Sequence, residues 1–137
     1  MSLDDRSANP RHMGELRAPD GLGRAAIPCG DSMQMALRVV DGRILEARFM
    51  TDGCGPVVAC GSAAAGLVRG RTLAEAMALG EDDVMNSLGG LPEAERHCAT
   101  LAVTALRRAV ADCRALQREP WKKPYRQDGP FEPGRRA

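Results

Sequence analysis

From Ser32 onward the chain alternates between apolar and polar positions. Met33, Met35, Leu37 and Val39 are separated by Ser32, Gln34, Ala36 and Arg38. A period of two residues is that of a strand buried on one face. Asp41-Gly42 comes next, the dipeptide preferred where both central turn positions need positive φ. Over Ile44 to Thr51 the alternation resumes, with Leu45, Ala47 and Phe49 on one face and Glu46 and Arg48 on the other. The two runs predict a β-hairpin, and "GRAAIPCG" before them is read as a third strand ending at Pro28.

Past Gly55 the period lengthens. Pro56 suits a first helical position, and "PVVACGSAAAGLVRG" runs on to Gly70 as a helix closed by glycine. Gly61 and Gly66 inside it lower helix propensity but permit close packing. Thr72 with Glu75 three residues on is a capping box, and Gly80 stops that helix. "EDDVMNSLGG" predicts another short helix. The longest element has Ala94, Cys98, Leu101, Ala102, Ala105, Ala109, Cys113 and Leu116 at three- and four-residue steps, an amphipathic stripe ended by Pro120. Strands first and helices afterwards predict an α+β fold, a small antiparallel sheet covered by helices. Residues 1–24 lack a period and are read as an extended, poorly packed lead-in, 25–118 as the folded domain, and the Pro-rich 119–137 as a flexible tail.

Composition narrows the function. The 137 residues carry 19 basic and 18 acidic side chains, so no global field points to nucleic acid or to an anionic membrane. The basic excess after Arg118 is local and reads as a solvated tail. "MSLDDRSANP" has no apolar core of a secretory signal, and no apolar run nears the ~20 residues that span a bilayer. The expected compartment is the cytoplasm. Thiols stay reduced there, so five cysteines suggest metal binding or catalysis before disulfides. Aromatics are scarce, which leaves Leu, Val, Ile, Met and Ala to build a core around Phe49.

Three cysteines sit at junctions between elements. Cys29 precedes the first clear strand, with Gly30 and Asp31 after it; a turn aspartate with a small buried thiol is the competing reading. Cys54 stands just before a helix start, where unpaired N–H groups stabilise a thiolate ligand or nucleophile. Cys98 follows His97 near the start of the long helix; neighbours on a helix point about 100° apart, so they share a site only at its loose end. Cys60 lies among Ala, Val and Gly as a small apolar core residue, with a bond to Cys54 under oxidation as the alternative. Cys113 is roughly 22 Å along the helix from Cys98 and is assigned to the core. His12 is read as a solvated loop residue. Cys29, Cys54 and Cys98, with Asp31 or His97, make a set suited to zinc or an iron–sulfur cluster.

The segments "NPRHMGEL", "PCGDSMQMALRVVDGRILEARFMTDGCG", "CGSAAAGLVRGRTLAEAMAL" and "HCATLAVTALRRAVADC" resemble the IscU/NifU N-terminal family of iron–sulfur cluster assembly scaffolds. The resemblance implies a scaffold, not an enzyme. It would take up iron, receive sulfur from a cysteine desulfurase and electrons from a ferredoxin-type donor, build a labile [2Fe–2S] cluster and pass it to apo-proteins. It implies Cys29, Cys54 and Cys98 as thiolate ligands, Asp31 and His97 as the two groups competing for the fourth position, and Cys98 as persulfide acceptor. Zinc suits the same site when no cluster is there. A hard Asp31 oxygen among soft thiolates weakens the hold on a thiophilic metal, which expects Asp31 to make the cluster transferable. A homodimer is left open.

The chain departs from the family pattern in three places. Eight residues precede "NPR" where relatives carry a helix. The loop "LPPVK", which a dedicated Hsp70-type chaperone grips, reads "LPEAE", so Glu95 reverses the charge of a lysine, which argues against that chaperone contact. The tail after Trp121 has no counterpart. A zinc-bound sulfurtransferase branch, which relays persulfide, is the alternative function. That branch typically carries an insertion between its second and third cysteines and lacks the histidine. The short gap from Cys54 to Cys98, with His97 present, puts this chain on the scaffold side.

Overall fold

The alternating runs do form a hairpin. In the computed structural model, which describes residues 12–28, 30–53 and 55–121, strands β1 (Gly21–Ala26), β2 (Ser32–Val40) and β3 (Arg43–Thr51) make one antiparallel sheet in the order β1-β2-β3. Asp41 and Gly42 take φ of 52° and 77°, the two positive values that the tight turn needs. After the sheet come α1 (Pro56–Val68), α2 (Leu73–Met77), α3 (Glu81–Ser87), a 3-10 turn (Glu93–Glu95) and α4 (Arg96–Arg118). The capping box closes at α2: Thr72 Oγ1 accepts from the Glu75 N–H at 3.1 Å, and Glu75 Oε1 accepts from the Thr72 N–H at 2.9 Å. Those bonds to Thr72 hold the Glu75 carboxyl below its ordinary pKa. No helix among the described residues is long and apolar enough to cross a membrane.

The register sets the inner face. Gly23 opposes Met35, which opposes Phe49; Gly21, Leu37 and Ala47 form the next row. Helix α4 crosses this face over β1 and β2, and α1 lies over β3. β1 is built from small residues because α4 comes very close: a Cβ at Gly23 would meet the backbone of Ala105 and Ala109. Phe49, Met33, Met35, Leu37, Leu101 and Leu106 are fully buried between the layers, each contributing about 1.5–3 kcal/mol through burial.

Four expectations needed correction. Leu45 does not face the core. Arg38 opposes Glu46 but Val39 opposes Ile44, so Leu45 is the extra residue of a β-bulge, 60% exposed, and Ile44 is buried in its stead. Strand β2 is not half-buried over its first part: Ser32, Gln34 and Ala36 are buried as well, and Gln34 Oε1 accepts from Arg24 Nε at 2.8 Å. The stretch 12–24 is not a loose lead-in, since β1 starts at Gly21 and Asp20 N donates to Leu37 O at 2.8 Å. Nor is His12 merely a solvated loop residue. Its carbonyl accepts from Phe49 N at 2.9 Å, and Gly14 N donates back to Phe49 O at 2.9 Å. At Phe49 the outer edge of β3 thus has its backbone N–H and C=O paired, which an open strand edge would lack.

Candidate metal centre

The antiparallel register brings the start of β2 and the end of β3 to the same end of the sheet, where Met33 opposes Thr51. The connections there are cross-linked. Ser32 N donates to Asp52 Oδ1 at 2.7 Å, the Thr51 hydroxyl donates to Ser32 O at 2.6 Å, and Gly53 N donates to Thr51 Oγ1 at 3.1 Å. Within the β1–β2 turn, Gly30 N donates to Ile27 O at 3.0 Å and Ile27 N to Asp31 O at 2.9 Å. Gly30 and Gly55 take φ of +115° and +54°, backbone that side chains rarely adopt, so each loop depends on its glycine. Cys29 and Cys54, the two predicted ligands on these loops, lie outside the described residues. Asp31 is described and half-buried.

From Gly55 the chain enters α1 with Pro56 at its first turn and no side-chain cap among the described residues. One turn on, Cys60 is fully buried. Burial pushes its thiol up to about 12, and the neighbouring Cys98 and Glu95 push in the same direction. Cys60 therefore keeps its proton, as expected of a core residue. It also marks where α1 meets the start of α4, which carries the third predicted ligand.

That start gathers three of the site's donors. Cys98 is 1% exposed, and its Sγ lies 3.6 Å from His97 Nε2. The two neighbours converge because they occupy the first turn of α4, where His97 turns back so that its Nδ1 meets Ala94 O at 3.1 Å. Glu95 joins them: the Cys98 thiol donates to Glu95 Oε2 at 3.7 Å, and one donor atom from each of Glu95, His97 and Cys98 lies within 4.8 Å of the others. Among the described residues Asp31 stands outside this group. Sequence reasoning took Glu95 only as a reversed charge. The signal was its spacing, three residues before Cys98 at a helix start, which puts both on one side.

Arg96 anchors the neighbouring loops. It pairs with Glu93 at 2.8 Å, Asp82 at 3.3 Å and Glu81 at 3.7 Å, and the Glu93 bond raises its pKa most. Thr100 adds a bond from its hydroxyl to Glu81 Oε2 at 2.8 Å, tying α4 to α3. A cavity of about 360 Å³ lies at the far end, lined by Asp20, Val39, Asp41, Cys113, Leu116 and Pro120. None of the described site residues Asp31, His97 and Cys98 lines it. Cys113 is buried there as a core residue.

The sequence profile of the NifU-like N terminal domain matches residues 3–119. The chain is 41% identical over 109 residues to the iron-sulfur cluster assembly scaffold protein IscU 1 of Archaeoglobus fulgidus, covering 79% of this chain and 71% of that one. It is 39% identical over 118 residues to the iron-sulfur cluster assembly scaffold protein IscU of Haemophilus influenzae, covering 82% and 93%. In fold it is similar to the crystal structure of the N-terminal part of a nitrogen-fixing NifU-like protein from Brucella abortus. The TM-score is 0.52 at 23% identity, over 86% of this chain and 99% of that one.

Proposed function

This chain belongs to the NifU-like N-terminal domain family, and from that premise we propose that it works as an iron–sulfur cluster assembly scaffold. The cluster is its cargo. In this reading Cys29, Cys54 and Cys98 supply three thiolates, and Asp31 or His97 supplies the fourth donor to a [2Fe–2S] unit. The cross-linking of the two loops by Ser32 and Asp52, and the contact of α1 with the start of α4 at Cys60 and Cys98, support a common site for the three segments. The approach of His97 Nε2 to Cys98 Sγ is the single observation that carries the reading, because it pairs an imidazole with a thiol as a ligand set needs.

Sulfur would arrive on Cys98. Its thiolate attacks the outer sulfur of a persulfide on a cysteine desulfurase; one S–S bond forms as the other breaks, and the donor leaves as thiolate. Two electrons from a ferredoxin-type donor then cleave the Cys98 persulfide to thiolate and sulfide. Sulfide and iron assemble between the thiolates, and the finished unit passes to an apo-protein in the cytoplasm. An oxygen or nitrogen donor in the fourth position makes the last step easier than four thiolates would.

The test is anaerobic incubation of the purified chain with ferrous iron, cysteine, a desulfurase and a reduced ferredoxin. Visible sulfur-to-iron charge-transfer absorbance is expected to grow on the wild type and to be lost in Cys29→Ser, Cys54→Ser and Cys98→Ser. A colourless product that only speeds desulfurase turnover would overturn the scaffold reading in favour of a persulfide relay.

A further inference from the structure

Three donors of different chemistry meet at the start of α4, and only two of them belong to the expected ligand set. Cys98 Sγ lies 3.7 Å from Glu95 Oε2 and 3.6 Å from His97 Nε2, with all three donor atoms within 4.8 Å of one another. Around a tetrahedral divalent ion, metal–sulfur bonds are about 2.3 Å and metal–nitrogen or metal–oxygen bonds about 2.0–2.1 Å, which sets neighbouring donors roughly 3.5 Å apart. The two sulfur-centred separations already match that spacing.

Beyond the bond it accepts from Cys98, the Glu95 carboxylate carries no ion pair among the described residues. Arg96, the neighbouring cation, is engaged by Glu93, Asp82 and Glu81. Its side chain is half-buried, not extended into solvent. The 3-10 turn Glu93–Glu95 leads directly into α4, so all three donors come from four consecutive residues and need no long-range closure to meet.

We propose that Glu95, His97 and Cys98 form a three-donor site for one divalent transition-metal ion, and that this site fills without Cys29 or Cys54. The proposal rests on the scaffold reading only for the identity of the ion, which would be ferrous iron. A thiolate and a carboxylate together balance the ion's two positive charges, and the mixture of oxygen, nitrogen and sulfur suits a borderline metal. Glu95 then acts as a loading ligand. It holds the first iron beside Cys98 and gives way as sulfide and the remaining thiolates, which such an ion prefers, arrive. A lysine at this position, as in the loop the sequence resembles, cannot coordinate while protonated.

The experiment uses the full chain with Cys29→Ser and Cys54→Ser, reduced and anaerobic, titrated with Co²⁺ as a coloured probe. One Co²⁺ per chain is expected, with a thiolate-to-metal charge-transfer band that vanishes in a further Cys98→Ser variant. Adding Glu95→Gln, which keeps the shape and removes the charge, is expected to raise the Co²⁺ dissociation constant by at least about tenfold. Circular dichroism checks that each variant is folded. Should Glu95→Gln fail that check, Glu95→Asp, shorter by one methylene, must show the same loss. A dissociation constant within threefold of the parent, tighter binding, or stoichiometric binding without Cys98 overturns the proposal. Cluster growth on the wild-type chain tests the scaffold reading separately, since it requires all three cysteines.

Discussion

Raising the pH should expose how firmly the interior holds the Cys60 proton. The residue is 0% exposed, and burial, aided by Cys98 and Glu95, pushes its thiol from 9.0 up to about 12. A folded-state value above the unfolded one means that the native chain keeps a proton which the unfolded chain releases. The corresponding stability is intact below pH 9.0 and is lost as the pH climbs from there toward about 12. The slope is about 1.4 kcal/mol per pH unit, so raising the pH from about 8 to about 10.5 removes roughly 2 kcal/mol. With a urea dependence of about 1–3 kcal/mol per molar, the midpoint falls by on the order of 1 M.

Urea melts of wild type and Cys60→Ala at the two pH values, with chelator and reductant present, measure it. The substitution has its own cost from the cavity it leaves, but that cost does not depend on pH. Other groups that titrate in this range are common to both proteins and cancel in the comparison. Wild type is expected to lose about 2 kcal/mol more than Cys60→Ala over the interval. Equal losses would refute the reasoning, because they would mean that the native state lets the proton go as readily as the unfolded chain.

Two further outcomes are expected. Gly23→Ala forces a methyl group against the α4 backbone at Ala105 and Ala109, which cannot rotate away as a side chain could, and should cost at least about 1–3 kcal/mol in a urea or thermal melt; a change under about 0.5 kcal/mol would show that the helix can lift off β1 freely. Asp31→Ala should slow cluster transfer to an apo-ferredoxin, followed by the spectrum of the acceptor, and unchanged or faster transfer would remove Asp31 from that role.

Local signals carried much of the fold. The alternation around Asp41-Gly42 became a hairpin with both turn residues at positive φ, and Thr72 with Glu75 closed the capping box its spacing predicted. Each depends on groups two to four residues apart, which a linear pattern records directly. The bulge at Leu45 left no such record. Leu45 and Ile44 are both apolar, and which one turns inward follows from how β3 registers against β2 beneath α1. Gly21 looked like a loop residue because the reason for its smallness, α4, lies more than eighty positions downstream.

The sites divide along the same line. Sequence alone determined which residue types are present and at which junctions: thiols beside Gly30 and Gly55, a His97-Cys98 pair at a helix start, and a Cys60 whose apolar neighbours mark it as core. Only the tertiary structure decided that His97 turns back toward Cys98 and that Glu95 reaches the same sulfur. The reason is geometric. Residue identity sets what a donor can bind, but a metal responds to separations of a few ångströms, and those are set by the backbone path of the 3-10 turn as it feeds into α4.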